Sequence, residues 1–283
     1  FKMYKIKLSV LIFLIFLNLS CSKDIKKKSV INEKSIELQV LEAYREGLKE
    51  LEAGDALYAA KKFNEVETMF PQSKWAPKST LMAAYAYYSQ DYYFDASEEL
   101  KIFIKKYPNN QDIDYAHYLL GVTYYEQIVD EKKDLNSIML AKEKFNFVIK
   151  QYPNTDYALD AKFKFDLILD MLASKEMYIG RYYFNKKKWI PSINRFRKVV
   201  DEYDTTIYIE EALHRLVEIY YLLGLTEEAQ KYATTLGYNY KSSKWYEKTY
   251  AVFNKKYEKR KIKKNKNKKK RENIILKKFK SLF

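Results

Sequence analysis

Few side chains in this sequence have the chemistry of a catalytic or metal-binding site. The chain of 283 residues contains one cysteine, Cys21, and two histidines, His117 and His214. Neither histidine has neighbours at the spacing of metal ligands, and the sequence contains no Walker loop, no HExxH and no G-x-S-x-G string. We therefore expect no enzymatic activity, no metal and no cofactor, and we predict that the functional residues bind partners.

The cysteine follows a segment that is typical of a signal peptide. Basic residues precede an apolar stretch at 8–17, which is too short to cross a bilayer because crossing takes about 20 apolar residues. The residues around Cys21 resemble a bacterial lipobox, although Asn18 stands where that motif has leucine. We predict a signal peptide at 1–20 and a lipidated Cys21 with a polar tether at 21–36. Ordinary signal cleavage and an unmodified thiol are the alternatives.

The net charge of +15 is unevenly distributed along the chain. Residues 254–283 carry +13 and residues 1–28 carry +6, which leaves −4 for residues 29–253. The basic tail therefore favours an anionic partner, whereas the mildly acidic body does not favour nucleic acid. The 28 tyrosines and many lysines could indicate nucleic-acid binding, but AT-rich coding accounts for the same bias.

The tail at 254–283 has two parts. Twelve of the seventeen residues at 255–271 are Lys or Arg, so we predict disorder there. The residues after them have the spacing of a short basic amphipathic helix, which suits an anionic membrane surface. A protein partner and a merely solubilising role are the alternatives. The residues predicted to meet the membrane surface are Ile275, Lys277, Lys278, Phe279 and Phe283.

Five segments of the body share one spacing of small and large residues. A small residue is followed four places later by a second residue, usually large and apolar, and three places after that by a large apolar one. In the first four segments a Pro or Asp comes a further five places on. Offsets of 4 and 7 lie on one face of a helix, and Pro ends a helix. The small residues are Ala59, Ala96, Ala141, Ser192 and Ala229.

A second candidate helix precedes each of these segments, and the pairs predict a repeat fold. A small residue lets two helices approach closely, and a stack of pairs buries apolar faces that one pair cannot bury. The pattern resembles the second helix of a tetratricopeptide repeat. We predict an all-α fold, an α-solenoid of about five tetratricopeptide repeats. Repeats 1–3 are expected at 37–153 and repeats 4 and 5 at 154–253, with one extended helix at 156–182.

Longer strings resemble the BamD family of tetratricopeptide-repeat lipoproteins over about 38–240. The sequence departs from that family at 130–136, where DEKKDLN replaces an Arg-Asp-Gln-like element, and in the tail, which lies outside the family core. The strings are NQDIDYAHYLLG at 110–121, QYPNTDYALDA at 151–161, LASKEMYIGRYY at 172–183 and the segment 70–88, which ends in AYAYY.

The resemblance implies a scaffold that captures and positions other proteins. BamD-like proteins are anchored by lipid to the outer membrane and face the periplasm. Their carboxy-terminal repeats bind POTRA domains of the barrel subunit BamA, and their amino-terminal repeats receive unfolded outer-membrane proteins. The expected partners are therefore a BamA-like protein, accessory lipoproteins of the same machinery and unfolded barrel proteins, and the expected function is their delivery and insertion.

The resemblance also implies where the BamA-like partner would bind, because 189–197 falls where the family meets BamA. Arg195 lies between two inward positions of its helix and should point outward. Arginine suits such contacts because its rigid fork pairs with carboxylates bidentately. A solvated surface arginine is the alternative. The predicted contact residues are Arg195, Arg197, Arg181 and Trp189.

Aromatic residues of the first two repeats are the candidates for a groove that binds an extended peptide. Tyrosine offers apolar area together with a hydroxyl, which suits segments of mixed sequence. Packing between helices is the alternative for most of them. The candidates are Trp75, Tyr85, Tyr87, Tyr88, Tyr92 and Tyr93.

Two other functions stay open at this point. A Tol-associated coordinator of envelope constriction also carries repeats, but it has an amino-terminal coiled coil, and residues 22–36 show no sustained heptads. A polyanion- or peptidoglycan-binding protein would act through the Lys-rich tail with salt-dependent affinity.

Overall fold

The computed structural model describes residues 35–128, 135–241 and 243–254, and within these ranges the chain is helical without a strand. Contacts between Cα atoms divide the chain into Phe1–Leu41 and Glu42–Phe283, and the packing described below lies in the second unit. Among the described helices, none has the length and hydropathy that a bilayer crossing requires. The helices are α1 (Ile36–Glu52), α2 (Ala56–Met69), α3 (Ala76–Ser89), α4 (Tyr93–Lys106), α5 (Ile113–Glu126), α6 (Leu135–Gln151), α7 (Asp156–Asn185), α8 (Trp189–Glu202), α9 (Ile209–Leu222), α10 (Thr226–Asn239) and α11 (Lys244–Phe253).

The turn between the two helices of a repeat is left-handed in four repeats. Gly54 and Gly224 have φ of 85° and 79° there. Asp91 and Lys187 adopt φ of 63° and 55° at the equivalent places. Each residue lies five places before the small residue of its repeat. A left-handed residue after a helix caps its last carbonyls, and glycine adopts this conformation without strain. The left-handed residue thus ends the first helix of the repeat. At Lys187 the residue type does not predict this conformation.

Burial of the small residues confirms the repeat pattern predicted from the sequence. Helices from α2 to α11 pack in chain order, each against the next. All five small residues are fully buried, as are the large residues seven places after them. These large residues fill the space between one repeat and the next. They are Val66, Phe103, Val148, Val199 and Leu236.

Close helix approach in three repeats depends on a glycine that faces a phenylalanine ring. A methyl group added at the glycine would lie 2.6 to 2.9 Å from the nearest ring atom, so no other residue fits unless the ring moves. In the second repeat the same two positions hold Ala84 and Leu100, both fully buried. The second repeat therefore has a larger residue on its first helix and a smaller one on its second helix. The two changes compensate, and the distance between the helices is kept. The glycine pairs are Gly47–Phe63, Gly121–Phe145 and Gly180–Phe196.

Helix α7 spans 30 residues and confirms the extended helix predicted at 156–182. Its amino-terminal cap is Thr155, whose hydroxyl accepts from the backbone N–H of Ala158 at 3.2 Å. The helix packs against α5, α6 and α8, so it belongs to both the third and the fourth repeat. Helix α11 then packs on α9 and α10 and adds a helix beyond the five predicted pairs.

Several predictions fall outside the described residues. These are the signal peptide at 1–20, the lipidated Cys21, most of the 130–136 insertion, and the tail from 255 with its Ile275, Lys277, Lys278, Phe279 and Phe283. They stay sequence predictions.

Candidate functional site

The first helices of the second and third repeats, with the start of α7, bring five tyrosines together. Tyr118 and Tyr157 stack with ring centroids 5.3 Å apart, and the Tyr115 ring is tilted against Tyr157 at the same centroid distance, 5.3 Å. Tyr85 and Tyr88 on α3 are near enough to Tyr115 to raise the pKa of its hydroxyl. We call Tyr85, Tyr88, Tyr115, Tyr118 and Tyr157 the tyrosine surface.

Burial and hydrogen bonds fix the rings of the tyrosine surface in place. The Tyr118 hydroxyl donates to Asp160 Oδ2 at 2.6 Å, and Lys164 Nζ lies 3.7 Å from the same oxygen. Burial, followed by the nearby tyrosines, raises the pKa of Tyr115 to about 12. Burial and the Asp160 carboxylate raise the pKa of Tyr118 further. The hydroxyls of Tyr115 and Tyr118 are therefore neutral near pH 7, and a neutral tyrosine hydroxyl can both donate and accept hydrogen bonds.

Helical spacing places each pair of tyrosines on one face. Tyr85 and Tyr88 are three residues apart on α3, and Tyr115 and Tyr118 have the same spacing on α5. Residues three apart lie on one helical face, so each of these two first helices presents a pair of tyrosines on one face. Tyr85 and Tyr88 were among the predicted groove residues, whereas Tyr115 and Tyr118 were missed, although their spacing of three is visible in NQDIDYAHYLLG.

Of the other aromatic candidates, Tyr93 borders the tyrosine surface and the remaining three pack elsewhere. Tyr93 joins Tyr88 at a centroid distance of 6.1 Å, and its hydroxyl donates to Asp91 at 2.7 Å. Tyr87 and Tyr92 form an edge-to-face pair of their own at 6.5 Å. Trp75 packs on Tyr44 at 5.0 Å, with Lys78 above both rings. The six candidates of the sequence analysis therefore do not form one site.

Arg195 crosses from α8 to α7 and binds a buried carboxylate. Its Nη1 donates to Glu176 Oε2 at 2.9 Å, and Lys198 Nζ donates to Glu176 Oε1 at 3.0 Å. The Glu176 side chain is only 9% exposed, whereas that of Arg195 is 42% exposed. Burial raises the pKa of Glu176, but the two cations lower it by more, so it lies below its ordinary value. We call these three residues the Glu176 clamp.

Arg181 anchors a longer polar network that joins α7 to α9. Its Nε and Nη2 donate to both oxygens of Glu211, at 2.9 and 2.7 Å. Burial raises the pKa of Glu211 and the bond from Arg181 outweighs it, so the pKa is lowered. Arg215, on the same helix as Glu211, donates to Glu218 at 2.7 Å and lies over the Phe184 ring. Arg181 was among the predicted contact residues, but its carboxylate partner was not predicted.

Helix α11 is attached to the same network. His214 Nδ1 lies 2.8 Å from the Thr249 hydroxyl, and both side chains are buried. The Trp245 ring packs at 5.2 Å from the His214 ring, with Lys248 Nζ 3.8 Å from its centroid. We call Arg181, Glu211, Arg215, Glu218 and His214 the C-terminal network.

Two predicted contact residues differ in their surroundings. Arg197 is exposed on α8, and in the described part of the chain it has no ion-pair partner. Trp189 is half-buried at the start of α8 and packs against Phe184 at 5.7 Å. Of the four predicted residues, Arg197 alone is therefore an exposed cation whose charge is available to another molecule.

The remaining histidine is also packed within the fold. His117 stacks on Phe147 at 4.4 Å, and burial together with Lys144 lowers its pKa. Within the described ranges, no three His, Cys, Asp or Glu side chains are grouped in a way that could hold a metal ion.

Comparisons with known proteins agree on one family. A family model described as YfiO, outer membrane lipoprotein, matches residues 37–236. The chain is 42% identical over 225 residues to the outer membrane protein assembly factor BamD of Rickettsia prowazekii, covering 80% of this chain and 90% of the relative. It is 39% identical to the protein of that name from Caulobacter vibrioides, over 83% of this chain and 76% of the relative. It is 30% identical to the protein of that name from Neisseria meningitidis serogroup A, over 71% of this chain and 79% of the relative.

Proposed function

The chain belongs to the BamD family of outer membrane lipoproteins, and from this premise we propose that it is a scaffold for assembling β-barrel proteins in the outer membrane. The tyrosine surface receives segments of unfolded barrel proteins. The C-terminal repeats hold a barrel subunit with POTRA domains similar to BamA. A lipid on Cys21 keeps the protein at the membrane, facing the periplasm. The mechanism is capture and positioning, without bond chemistry.

The observation that carries this proposal is the tyrosine surface. Segments destined to become strands of a barrel alternate apolar and polar side chains. A tyrosine ring supplies apolar area, and its neutral hydroxyl pairs with backbone or polar groups at a small cost in side-chain entropy. Rings held 5.3 Å apart by packing are already ordered before a segment binds. Such a surface favours extended segments of mixed sequence.

Capture is tested by the affinity for a fluorescently labelled, urea-unfolded outer-membrane barrel protein diluted into a solution of the natively lipidated chain. Tyr85 is 39% exposed and sits at the edge of the tyrosine surface. Because one aromatic contact is worth about 0.5–1.5 kcal/mol, Tyr85→Ala should weaken binding about two- to tenfold. The control Phe94→Ala removes an aromatic side chain that is 73% exposed on α4. Equal affinities for both variants would remove the tyrosine surface from the proposal.

The contact with the BamA-like subunit is tested at Arg197. Arg195→Glu is a poor test because it would place a second carboxylate against the buried Glu176 and destabilise the fold. Arg197→Glu reverses an exposed charge and leaves the Glu176 clamp in place. Lys105→Glu is the matched control, an exposed lysine in the last turn of α4.

The readout is the set of membrane proteins recovered with the lipidated chain at moderate salt, identified by mass spectrometry. We expect a POTRA-bearing barrel protein that is recovered with the native chain and with Lys105→Glu, and at lower yield with Arg197→Glu. Recovery of Tol-system proteins, cell-wall fragments or nucleic acid in its place would leave the repeat fold standing and overturn the proposed function.

The anchor has its own test. If Cys21 carries the lipid, Cys21→Ser should abolish incorporation of labelled palmitate and release the protein from the membrane fraction. Persistence of the Cys21→Ser protein in that fraction at high salt would show a different attachment.

A further inference from the structure

The last repeat leaves a groove open between α10 and α11. Five side chains on one face of α10 and four on one face of α11 line it. Tyr238 is 81% exposed, Tyr250 is 47% exposed and Phe253 is 37% exposed. Three of the residues on its α10 side, Ala233, Thr234 and Gly237, are small, which favours the close approach of a further helix. The lining residues are Gln230, Ala233, Thr234, Gly237, Tyr238 and Lys241 with Tyr246, Thr249, Tyr250 and Phe253.

A groove of this kind is unusual at the end of a repeat array. Terminal helices of repeat proteins usually turn a polar face to water, because no further repeat covers them. Here α11 presents Tyr246, Tyr250 and Phe253 to the groove, spaced i, i+4 and i+7, and the Phe253 ring also contacts Tyr221 of α9 at 5.3 Å. The pattern is that of a helix with a neighbour on each side.

We propose that this groove is occupied by the chain's own segment 274–283, which docks as a helix against α10 and α11. This inference does not rest on the proposed scaffold function. The segment carries Ile275, Phe279 and Leu282 at i, i+4 and i+7, the spacing of the aromatic residues on α11. Both sets span seven residues, which is about 10 Å of helix. Lys277 and Lys280 stay on the solvent side, and Lys278 lies at the edge of the apolar face.

The position where the described chain stops favours this occupant over a separate protein. The structure describes α11 to Phe253 and the chain to Asn254, and Phe253 itself lines the groove. Residues 255–273 follow before the docking segment, and that length of chain can span about 60 Å when extended. The return path therefore needs only a fraction of the available length. A tether of this size supplies an effective concentration near the millimolar range, so modest intrinsic affinity suffices.

The experiment is hydrogen exchange measured by mass spectrometry on the full, lipidated chain in detergent micelles. The reporter peptides cover α10 and α11. With a millimolar effective concentration and an intrinsic Kd of about 0.1 mM, docking should slow exchange there about tenfold relative to a chain that ends at residue 271. Adding a synthetic peptide of residues 272–283 to the shortened chain should restore protection, and a scrambled peptide should not.

Matched substitutions separate docking from general effects of the tail. Phe279→Ser should raise exchange in α10 and α11 to the level of the shortened chain, whereas Lys277→Ser, on the opposite side of the helix, should leave it unchanged. Equal exchange in the native chain and in Phe279→Ser would overturn the proposal. So would a result in which Phe279→Ser only weakens binding to phosphatidylglycerol vesicles, since the segment would then serve the membrane surface.

Discussion

The second and third repeats differ from the fourth and fifth in how they use polar groups. Tyrosine rings of α5 contact Tyr157 at the start of α7, and Tyr85 on α3 keeps 39% of its area exposed. In α7 to α9, Arg181, Arg195 and Arg215 bind buried or half-buried carboxylates of the same chain, as in the bidentate pair of Arg181 with Glu211. Both regions follow the same packing of small against large residues.

This difference separates binding from stability. An exposed, pre-ordered ring can contribute its free energy to a partner, because nothing in the chain uses that area already. An arginine that is paired with a buried glutamate stabilises the fold, and a partner must break the pair to use it. The tyrosine region is therefore suited to capture, and the ion-paired region holds α7, α8 and α9 in fixed positions.

The largest expected effect tests whether the packing rule is shared by both regions. Gly180→Ala adds a methyl group 2.6 Å from the Phe196 ring and should lower the free energy of unfolding by about 3 kcal/mol. Adding Phe196→Leu recreates the Ala84–Leu100 pair of the second repeat and should recover more than half of that loss. Urea denaturation of the single and the double variant measures the loss and the recovery of the free energy of unfolding. A double variant no better than the single one would show that the repeats do not share one packing geometry.

The Glu176 clamp gives the next largest effect. Glu176→Ala leaves Arg195 and Lys198 without their shared carboxylate and should destabilise the protein by about 2 kcal/mol. The control Glu98→Ala removes an exposed partner of Lys101 on α4 and should cost less than about 0.5 kcal/mol. Thermal unfolding followed by circular dichroism compares them. Equal costs would contradict the assignment of structural ion pairs to the C-terminal region.

A hydroxyl deletion tests the order of the tyrosine surface. Tyr118→Phe removes the 2.6 Å hydrogen bond to Asp160 and keeps the ring, so it should cost about 1 kcal/mol. Tyr85→Phe, on a ring that is 39% exposed, should change stability by less than about 0.5 kcal/mol. If both changes are neutral in urea denaturation, the Asp160 bond does not hold the surface in place.

The smallest effect is a difference in pH dependence. Burial raises the pKa of Glu99 in the second repeat. Cations lower the pKa of Glu176 and Glu211 below 4.5 despite burial. A raised carboxyl pKa favours the folded state as pH falls toward 4.5, because the folded state takes up the proton first. A lowered pKa gives stability that is present above 4.5 and lost as pH falls below it.

As the pH falls, the second repeat should therefore gain stability in the range above pH 4.5. The fourth and fifth repeats should lose stability in the range below pH 4.5. Local hydrogen-exchange protection, corrected for intrinsic rates, measures both responses in one titration. Glu99→Gln should abolish the pH response of the second repeat, and Glu176→Gln should reduce the pH response of the fourth and fifth repeats. A uniform response along the array would contradict the comparison.

The sequence by itself determined the repeat architecture and the family. The small residues, the large residues seven places later and the long helix at 156–182 were all predicted from spacing and confirmed. This succeeds because each repeat is a local unit whose helical periodicity is written in consecutive residues. The quoted strings identified the family for the same local reason.

Only the tertiary structure decided which side chains share a surface. Tyr85 and Tyr157 are 72 positions apart in the chain, and no periodicity within one repeat links them. Arg195 was expected to point outward, and its side chain is 42% exposed, yet its guanidinium is bound to a glutamate 19 residues earlier. Such pairings depend on how one helix pair stacks on the next, because stacking brings together residues that local sequence leaves independent.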